Sequence, residues 1–324
     1  ASATGLSAGS YTCTVTDAAS ATATQTVTIT QPSAININSS SQTNIACNGG
    51  SNGSASITTP TGGAGGYTYN WTPGNPTGDG TISVSGLTAG SWTCTVTDVN
   101  SCTKTQVFNI TQPSAITSSV TSQTNVACNG GATGAATITA SGGAGAFTYS
   151  WAPSGGTSTS ISGRSAGTYT CTITDLNSCT KTQTVNITQP ASPVSGTTVV
   201  TNVACFGGST GAINLTPTGG TPGYTYNWLP SGPSTEDRTG LSAGTYSVQI
   251  TDANSCTGTV TVTVTQPASA VSGTTVVTNV ACFGGNTGAI NLTPTGGTPG
   301  YTYNWLPSGP TTEDRTGHVA GTYS

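Results

Sequence analysis

The sequence predicts an all-β chain of tandem antiparallel sandwiches, and three observations carry that prediction. The tetrapeptide ITQP, or VTQP in its last copy, ends at Pro32, Pro113, Pro190 and Pro267, giving spacings of 81, 77 and 77 residues. Fixed self-similarity on this scale marks stacked structural repeats. Between these marks, apolar residues alternate with Thr in short runs, turn signals recur every eight to twelve residues or so, and no 3.6-residue periodicity occurs. That pattern calls for an immunoglobulin-like sandwich of half-buried strands.

Each unit runs through the same elements in order. TN-x-AC comes first (Cys47, Cys128, Cys205, Cys282), then a Gly-Gly turn, an aromatic strand, an AG-[ST]-[YW] strand, a TD-x-NSC turn and a last strand into QP. Parity places Tyr224, Tyr226 and Trp228 of GYTYNW on one face, the core, with Thr225 and Asn227 facing water. In the last strand the inward pairs are Val27 with Ile29, Phe108 with Ile110, Val185 with Ile187, and Val262 with Val264. The expected domains are therefore 33–113, 114–190 and 191–267, flanked by the C-terminal part of a repeat at 1–32 and the N-terminal part of another at 268–324. No flexible linker separates them, since ITQP leads directly into Ser33, Ser114, Ala191 and Ala268. Such domains are expected to form an extended rod or filament. The partial units at the two ends read as a window on a longer repetitive chain; the alternative is strand exchange, with residues 1–32 of a neighbour completing 268–324.

Composition narrows the function. Only 4% of residues are charged, with 45 Gly among 324 residues, so solubility rests on hydroxyl and amide groups. Five basic residues against nine acidic ones leave no stripe to follow a phosphate backbone, which excludes nucleic acid as a partner. No apolar run nears the roughly 20 residues that cross a bilayer, so this segment is not expected to insert in a membrane. Ten cysteines at repeat positions, without Cys-x-x-Cys or Cys/His spacing, indicate disulfides and an exported, extracellular protein.

The cysteines fall into three classes: A in TN-x-AC, B in the strand Y/W-T-C (Cys13, Cys94, Cys171) and C in the NSC turn (Cys102, Cys179, Cys256). In the third repeat Val248 replaces class B while Cys205 and Cys256 remain, which selects A with C. The expected bonds are Cys47 to Cys102, Cys128 to Cys179 and Cys205 to Cys256, each closing a loop within its own repeat. Class B then reads as a buried small hydrophobe, with a reserve thiol for interchain crosslinks as the sharper alternative.

No catalytic, cofactor-binding or metal site is expected. The single histidine, His318, stands where Leu6, Leu87, Arg164 and Leu241 stand in other copies, a variable slot expected at the rim of the core. One histidine assembles no catalytic constellation. The pairs Asp98/Asn100, Asp175/Asn177 and Asp252/Asn254 are turn formers, too few in oxygen ligands for calcium. Trp71, Trp151, Trp228 and Trp305 belong to the core by parity rather than to a sugar-stacking platform. Exposed loops such as TPGNPTGDG after Trp71 are better binding candidates. Residues 191–247 and 268–324 differ at only five of 57 positions, which suits a spacer whose output is length.

The motif set TN-x-AC-x-GG, GYTYNW, AGTYxVxITDANSCT and VTVTQP resembles the SprB-type repeat of gliding-motility adhesins and other large surface proteins of the Bacteroidota. The aromatic strand and YT-x-T-x-TD are also similar to polycystic-kidney-disease-type immunoglobulin-like domains. The resemblance covers essentially the whole chain and implies export, surface display and roles in adhesion or gliding. Ala21 at a class C position and cysteines at class B depart from the family pattern. The expected function is a structural, non-enzymatic segment of a long surface fibre or adhesin, a stiff disulfide-stapled spacer. Its partners would be neighbouring repeats or copies of the same fibre, and surface glycans or a host or substratum. A glycan- or protein-binding array using inter-strand loops is the alternative.

Overall fold

A computed structural model describes residues 1–324 except Ser154, Pro307 and Ser308. Its regular structure is all β-strand, and among the described residues no helix forms. Contacts gather the chain into two compact units, one comprising Ala1–Ser122, Thr137–Ile161 and Tyr169–Val185, the other Gln123–Ala136, Ser162–Thr168 and Asn186–Ser324.

The first unit opens with a hairpin of β1 (Gly9–Thr16) and β2 (Thr22–Ile29), antiparallel with Tyr11 opposite Val27. Next come β3 (Ser40–Thr43), β4 (Gly53–Ile57), β5 (Thr68–Thr72), β6 (Ser83–Leu87), β7 (Gly90–Thr97) and β8 (Thr103–Ile110). They form two three-stranded sheets, β3-β4-β6 and β5-β7-β8. One apolar cluster joins the sheets: Ala55 and Ile57 of β4 and Val84 and Leu87 of β6 meet Trp71, Cys94, Val96, Phe108 and Ile110 of the other sheet. The period of two decides which residues enter it. In β7, Cys94 and Val96 are buried while Thr93, Thr95 and Thr97 lie on the wetter face. Trp71 packs on Phe108 at a centroid distance of 5.3 Å and donates its indole N–H to Thr81 O at 2.9 Å, so its polar atom is satisfied inside the core.

The sheets approach closely at Gly53, where a Cβ would come within 2.8 Å of both Ile110 Cγ2 and Leu87 O. The Gly at the start of this strand is therefore a packing requirement. AG-[ST]-[YW] is explained by a ring reaching back four residues: Trp92 Nε1 donates to Thr88 O, as Tyr11 Oη does to Ser7 O and Tyr246 Oη to Ser242 O. This is the tyrosine-corner bond of immunoglobulin-like sandwiches, here also served by a tryptophan.

The strands β9 (Thr117–Thr124), β10 (Gly134–Ser141), β11 (Thr148–Ala152), β12 (Ser160–Arg164), β13 (Gly167–Thr174) and β14 (Thr180–Ile187) repeat this order and are divided between the two units. Within the first unit, β11 pairs with β13 so that Trp151 lies opposite Cys171. In the second unit, β15 (Ser195–Thr201), β16 (Gly211–Thr218) and β18 (Arg238–Leu241) form one sheet, facing β17 (Thr225–Leu229), β19 (Gly244–Thr251) and β20 (Thr257–Val264). The facing residues Ile213, Leu215 and Leu241 meet Trp228, Val248, Ile250 and Val264. A last sheet follows, β21 (Ser272–Thr278), β22 (Gly288–Thr295) and β23 (Arg315–His318).

Most inward positions agree with parity. Phe108, Ile110, Val185, Ile187 and Val264 are buried, and Val262 packs partly buried against its core. Val27 is 57% exposed, because the β1–β2 hairpin forms a two-stranded sheet of its own with no facing sheet. The slot assigned to the rim also needs correction. Leu87 and Leu241 are buried core residues, whereas Arg164 and His318 in the same slot are half-buried. The imidazole of His318 lies against Tyr323 at 4.6 Å.

Cys94, Cys171 and Val248 occupy one structural place, each opposite the core Trp and each fully buried. Burial pushes the Cys94 thiol up to about 11 and raises Cys171, so both are poor nucleophiles at neutral pH. Cys13, in the hairpin without a facing sheet, is exposed. Cys94→Val and Cys171→Val are expected to change unfolding free energy by less than about 1.5 kcal/mol. Cys94→Ser, which buries a hydroxyl against Trp71, is expected to cost about 1–3 kcal/mol. Denaturant titration of the variants checks both.

Candidate functional site at the repeat junctions

Two turns of each repeat carry the chemistry, and they lie at opposite ends of its last strand. Class A lies at the trailing end. Ile45 N donates to Thr111 O, just past the end of β8, and Thr111 N returns a bond to Asn44 Oδ1. Gly49 N donates to Gln112 Oε1, and Asn48 Nδ2 to Pro113 O. The same bonds recur at Val126/Thr188 and Val203/Thr265, with Gln189 and Gln266 accepting from Gly130 and Gly207. Thus TN-x-AC and ITQP are two halves of one clamp, a role that spacing alone did not reveal.

Class C lies at the leading end, in the turn that starts the last strand. Asp98 is 5% exposed; its Oδ1 accepts from the N–H of Asn100 and Cys102 and its Oδ2 from Ala64. Ser101 takes φ of +64°, closing the turn so that Asp98 N reaches Cys102 O. Gly63 N donates to Ser33 O, docking the Gly-Gly turn at this end. Asp175 and Asp252 make the corresponding bonds to Ala144 and Thr221 and to their own turns. The Ala64 N–H foremost, then those of Cys102 and Asn100, lower the Asp98 pKa. At Asp175 and Asp252 burial pushes upward, but the three backbone donors outweigh it and the net shift is downward. Each carboxylate is filled by turn donors, and among the described residues no group of three or more His, Cys, Asp or Glu is placed to hold a metal.

This geometry corrects the disulfide pairing. Cys47 bonds Cys179 and Cys128 bonds Cys256, both with Cα–Cα of 5.6 Å, while Cys102 and Cys205 are free and exposed. A joins C, as the third repeat indicated, but across to the following repeat. The eight residues of β8 lie between Cys102 and the Thr111 that anchors the Cys47 loop. At about 3.4 Å per residue that separates Cys47 from Cys102 by about 30 Å, whereas a disulfide needs Cα atoms within about 7 Å. Because the chain leaves a repeat at the end of its last strand, the next repeat presents its leading end there, with its NSC turn. Asn177 Nδ2 donates to Ala46 O at 2.9 Å and Asn254 Nδ2 to Ala127 O at 3.2 Å, so the Asn of NSC docks each staple. The first staple lies wholly in the first unit and the second wholly in the second. Each closes a loop of about 130 residues, worth about 5 kcal/mol in the loop-entropy account.

The aromatic candidates are in the core. Trp71, Trp151, Trp228 and Trp305 are at most 7% exposed, and their indole N–H groups donate to Thr81, Ser158, Thr235 and Thr312 carbonyls. Arg238 stacks between Trp228 and Tyr246, at 5.5 and 5.1 Å from the ring centroids. The loop after Trp71 folds back through Asp79, whose Oδ1 accepts from Trp71 N, and leaves Pro73 to Asn75 exposed.

A family model described as SprB repeat matches four segments, 39–76, 120–156, 197–233 and 274–310. The chain is an SprB-repeat protein. Each matched SprB segment holds a class A cysteine and the core tryptophan, while the class C cysteines lie outside the matches. Comparison with curated proteins finds no match. Among solved structures, the three N-terminal domains of the bacteriophage RB49 outer capsid protein Hoc align at 17% identity over 72% of this chain and 95% of that one, with a TM-score of 0.31. The N-terminal eight Ig domains of Down Syndrome Cell Adhesion Molecule align at 9% identity over 97% of this chain and 58% of that one, TM-score 0.26. PcdhgB3 EC1-4 aligns at 12% identity over 79% and 82%, TM-score 0.26. All three scores lie below one-half, so the fold assignment rests on the strands themselves.

Peptide mapping without reduction should recover Cys47 linked to Cys179 and Cys128 linked to Cys256. Cys102 and Cys205 should alkylate in the native protein, and Cys94 and Cys171 only after denaturation. The lowered carboxyl pKa values contribute stability that is complete above the unfolded value of about 3.9 and is lost as pH falls through the folded values. The thermal unfolding midpoint should therefore fall below about pH 4, and Asp98→Asn, Asp175→Asn and Asp252→Asn together should flatten that acid limb.

Proposed function

We propose that this chain is a structural, non-enzymatic segment of a long extracellular surface fibre or adhesin, serving cell adhesion and gliding motility as a stiff, disulfide-stapled spacer. The observation that carries this reading is the pair of covalent bonds that join the class A loops of Cys47 and Cys128 to the class C turns of the repeats that follow them. A staple within a repeat stabilises one domain; a staple between repeats fixes one domain against the next. The near-identity of residues 191–247 and 268–324 supports the same reading, since repetition adds reach without adding a site.

Two disulfides support an oxidising, extracellular location at the cell surface. Partners in this reading are neighbouring repeats and copies of the same fibre, with surface glycans or a substratum engaged elsewhere along it. The loop-based binding array draws no support from the core tryptophans, whose rings are buried.

Immunogold labelling of intact producing cells with an antibody raised against residues 33–267 tests the proposal. Label along filaments outside the cell is the expected result. Label that appears only after permeabilisation contradicts it.

A further inference from the structure

The loops closed by the two staples overlap, because Cys128 lies inside the Cys47–Cys179 loop and Cys179 inside the Cys128–Cys256 loop. We propose that this overlap makes the staples an interlocked strap that caps how far the array extends under tension, shortening its fully extended length by about half. Such a strap follows from the connectivity alone, whatever the fibre binds.

Pulled from its ends, a crosslinked chain becomes taut along its shortest covalent path. Here that path runs from Ala1 to Cys47, crosses to Cys179, returns along the backbone to Cys128, crosses to Cys256 and continues to Ser324. Its three backbone stretches are 46, 51 and 68 peptide steps, against 323 for the open chain. The stretches from Cys47 to Cys128 and from Cys179 to Cys256 stay slack however completely their strands unfold. At about 3.4 Å per residue the oxidised chain is about 530 Å shorter at full extension than the reduced chain.

Overlap also makes the two bonds non-additive. With only Cys128–Cys256 present the path follows the backbone from Cys47 to Cys128, and with only Cys47–Cys179 it follows the backbone from Cys179 to Cys256. Losing either staple therefore restores only about 100 Å, while losing both restores about 530 Å. Independent staples within each repeat would act differently. Each loss would restore about 180 Å, and Cys102 would matter as much as Cys47.

Single-molecule stretching of the full chain through handles at Ala1 and Ser324, with and without reductant, tests the strap. The expected results are a gain of about 530 Å on reduction, a gain of about 100 Å for oxidised Cys179→Ser or Cys256→Ser, and no change for Cys102→Ser. The comparison of oxidised with reduced wild-type protein needs no variant to fold. Equal extension in the two states, lengthening by Cys102→Ser, or additive gains of about 180 Å per lost staple would each overturn the proposal.

Discussion

The last strand of each repeat sets the distance that the rest of the arrangement obeys. At its start sits the TD-x-NSC turn, closed by a buried Asp that takes three backbone donors; at its end sits the TN-x-AC loop, clamped by the Asn, Gln and Pro of the two motifs. Eight extended residues hold these turns about 30 Å apart. A cysteine in one cannot reach a cysteine in the other within the same repeat. It reaches the corresponding turn of the next repeat because no linker intervenes after Pro113 or Pro190.

Polar residues do work here that ionic groups do in more highly charged proteins. The side-chain amides of Asn44, Gln112 and Asn177 each bond backbone groups at a trailing end, those of Asn44 and Gln112 within their own repeat and that of Asn177 across to the preceding one. Thr and Ser hydroxyls pair across strands on the outer faces, as between Thr12 and Thr26 at 3.0 Å or Ser247 and Thr261 at 2.8 Å. Bonds of this kind are insensitive to salt, unlike exposed ion pairs. The cores are small and depend on a tryptophan in each unit, with Cys94, Cys171 or Val248 filling the space opposite its strand.

Much of this was legible in the residues. Period-two alternation identified the faces of β8 and β17, and the exchange of Cys for Val at position 248 identified class B as core. The same exchange identified which cysteine classes bond. It did not identify which copies bond, because elimination within one repeat says nothing about the direction in which a turn faces. The missing signal was a length: the NSC turn precedes the last strand and ITQP follows it, so one marks the leading end and the other the trailing end. Placing TN-x-AC at the trailing end required its pairing to Thr111, a contact between residues far apart in the chain, and such contacts are where local patterns fall silent. The leucine slot misled for a related reason. Tolerance of Arg and His suggested a rim, whereas the slot is enclosed at Leu87 and Leu241 and adapts at Arg164 and His318.

One thiol, Cys47, chooses between a partner in its own repeat and one in the next. A variant retaining only Cys47, Cys102 and Cys179, with Cys94 and Cys171 replaced by Val and the remaining cysteines by Ser, lets Cys47 select its partner during oxidative folding. Mass spectrometry of the alkylated, unreduced protein reads the selection. Cys47 joined to Cys179 with Cys102 alkylated is the result expected from the geometry, and Cys47 joined to Cys102 with Cys179 alkylated would contradict it.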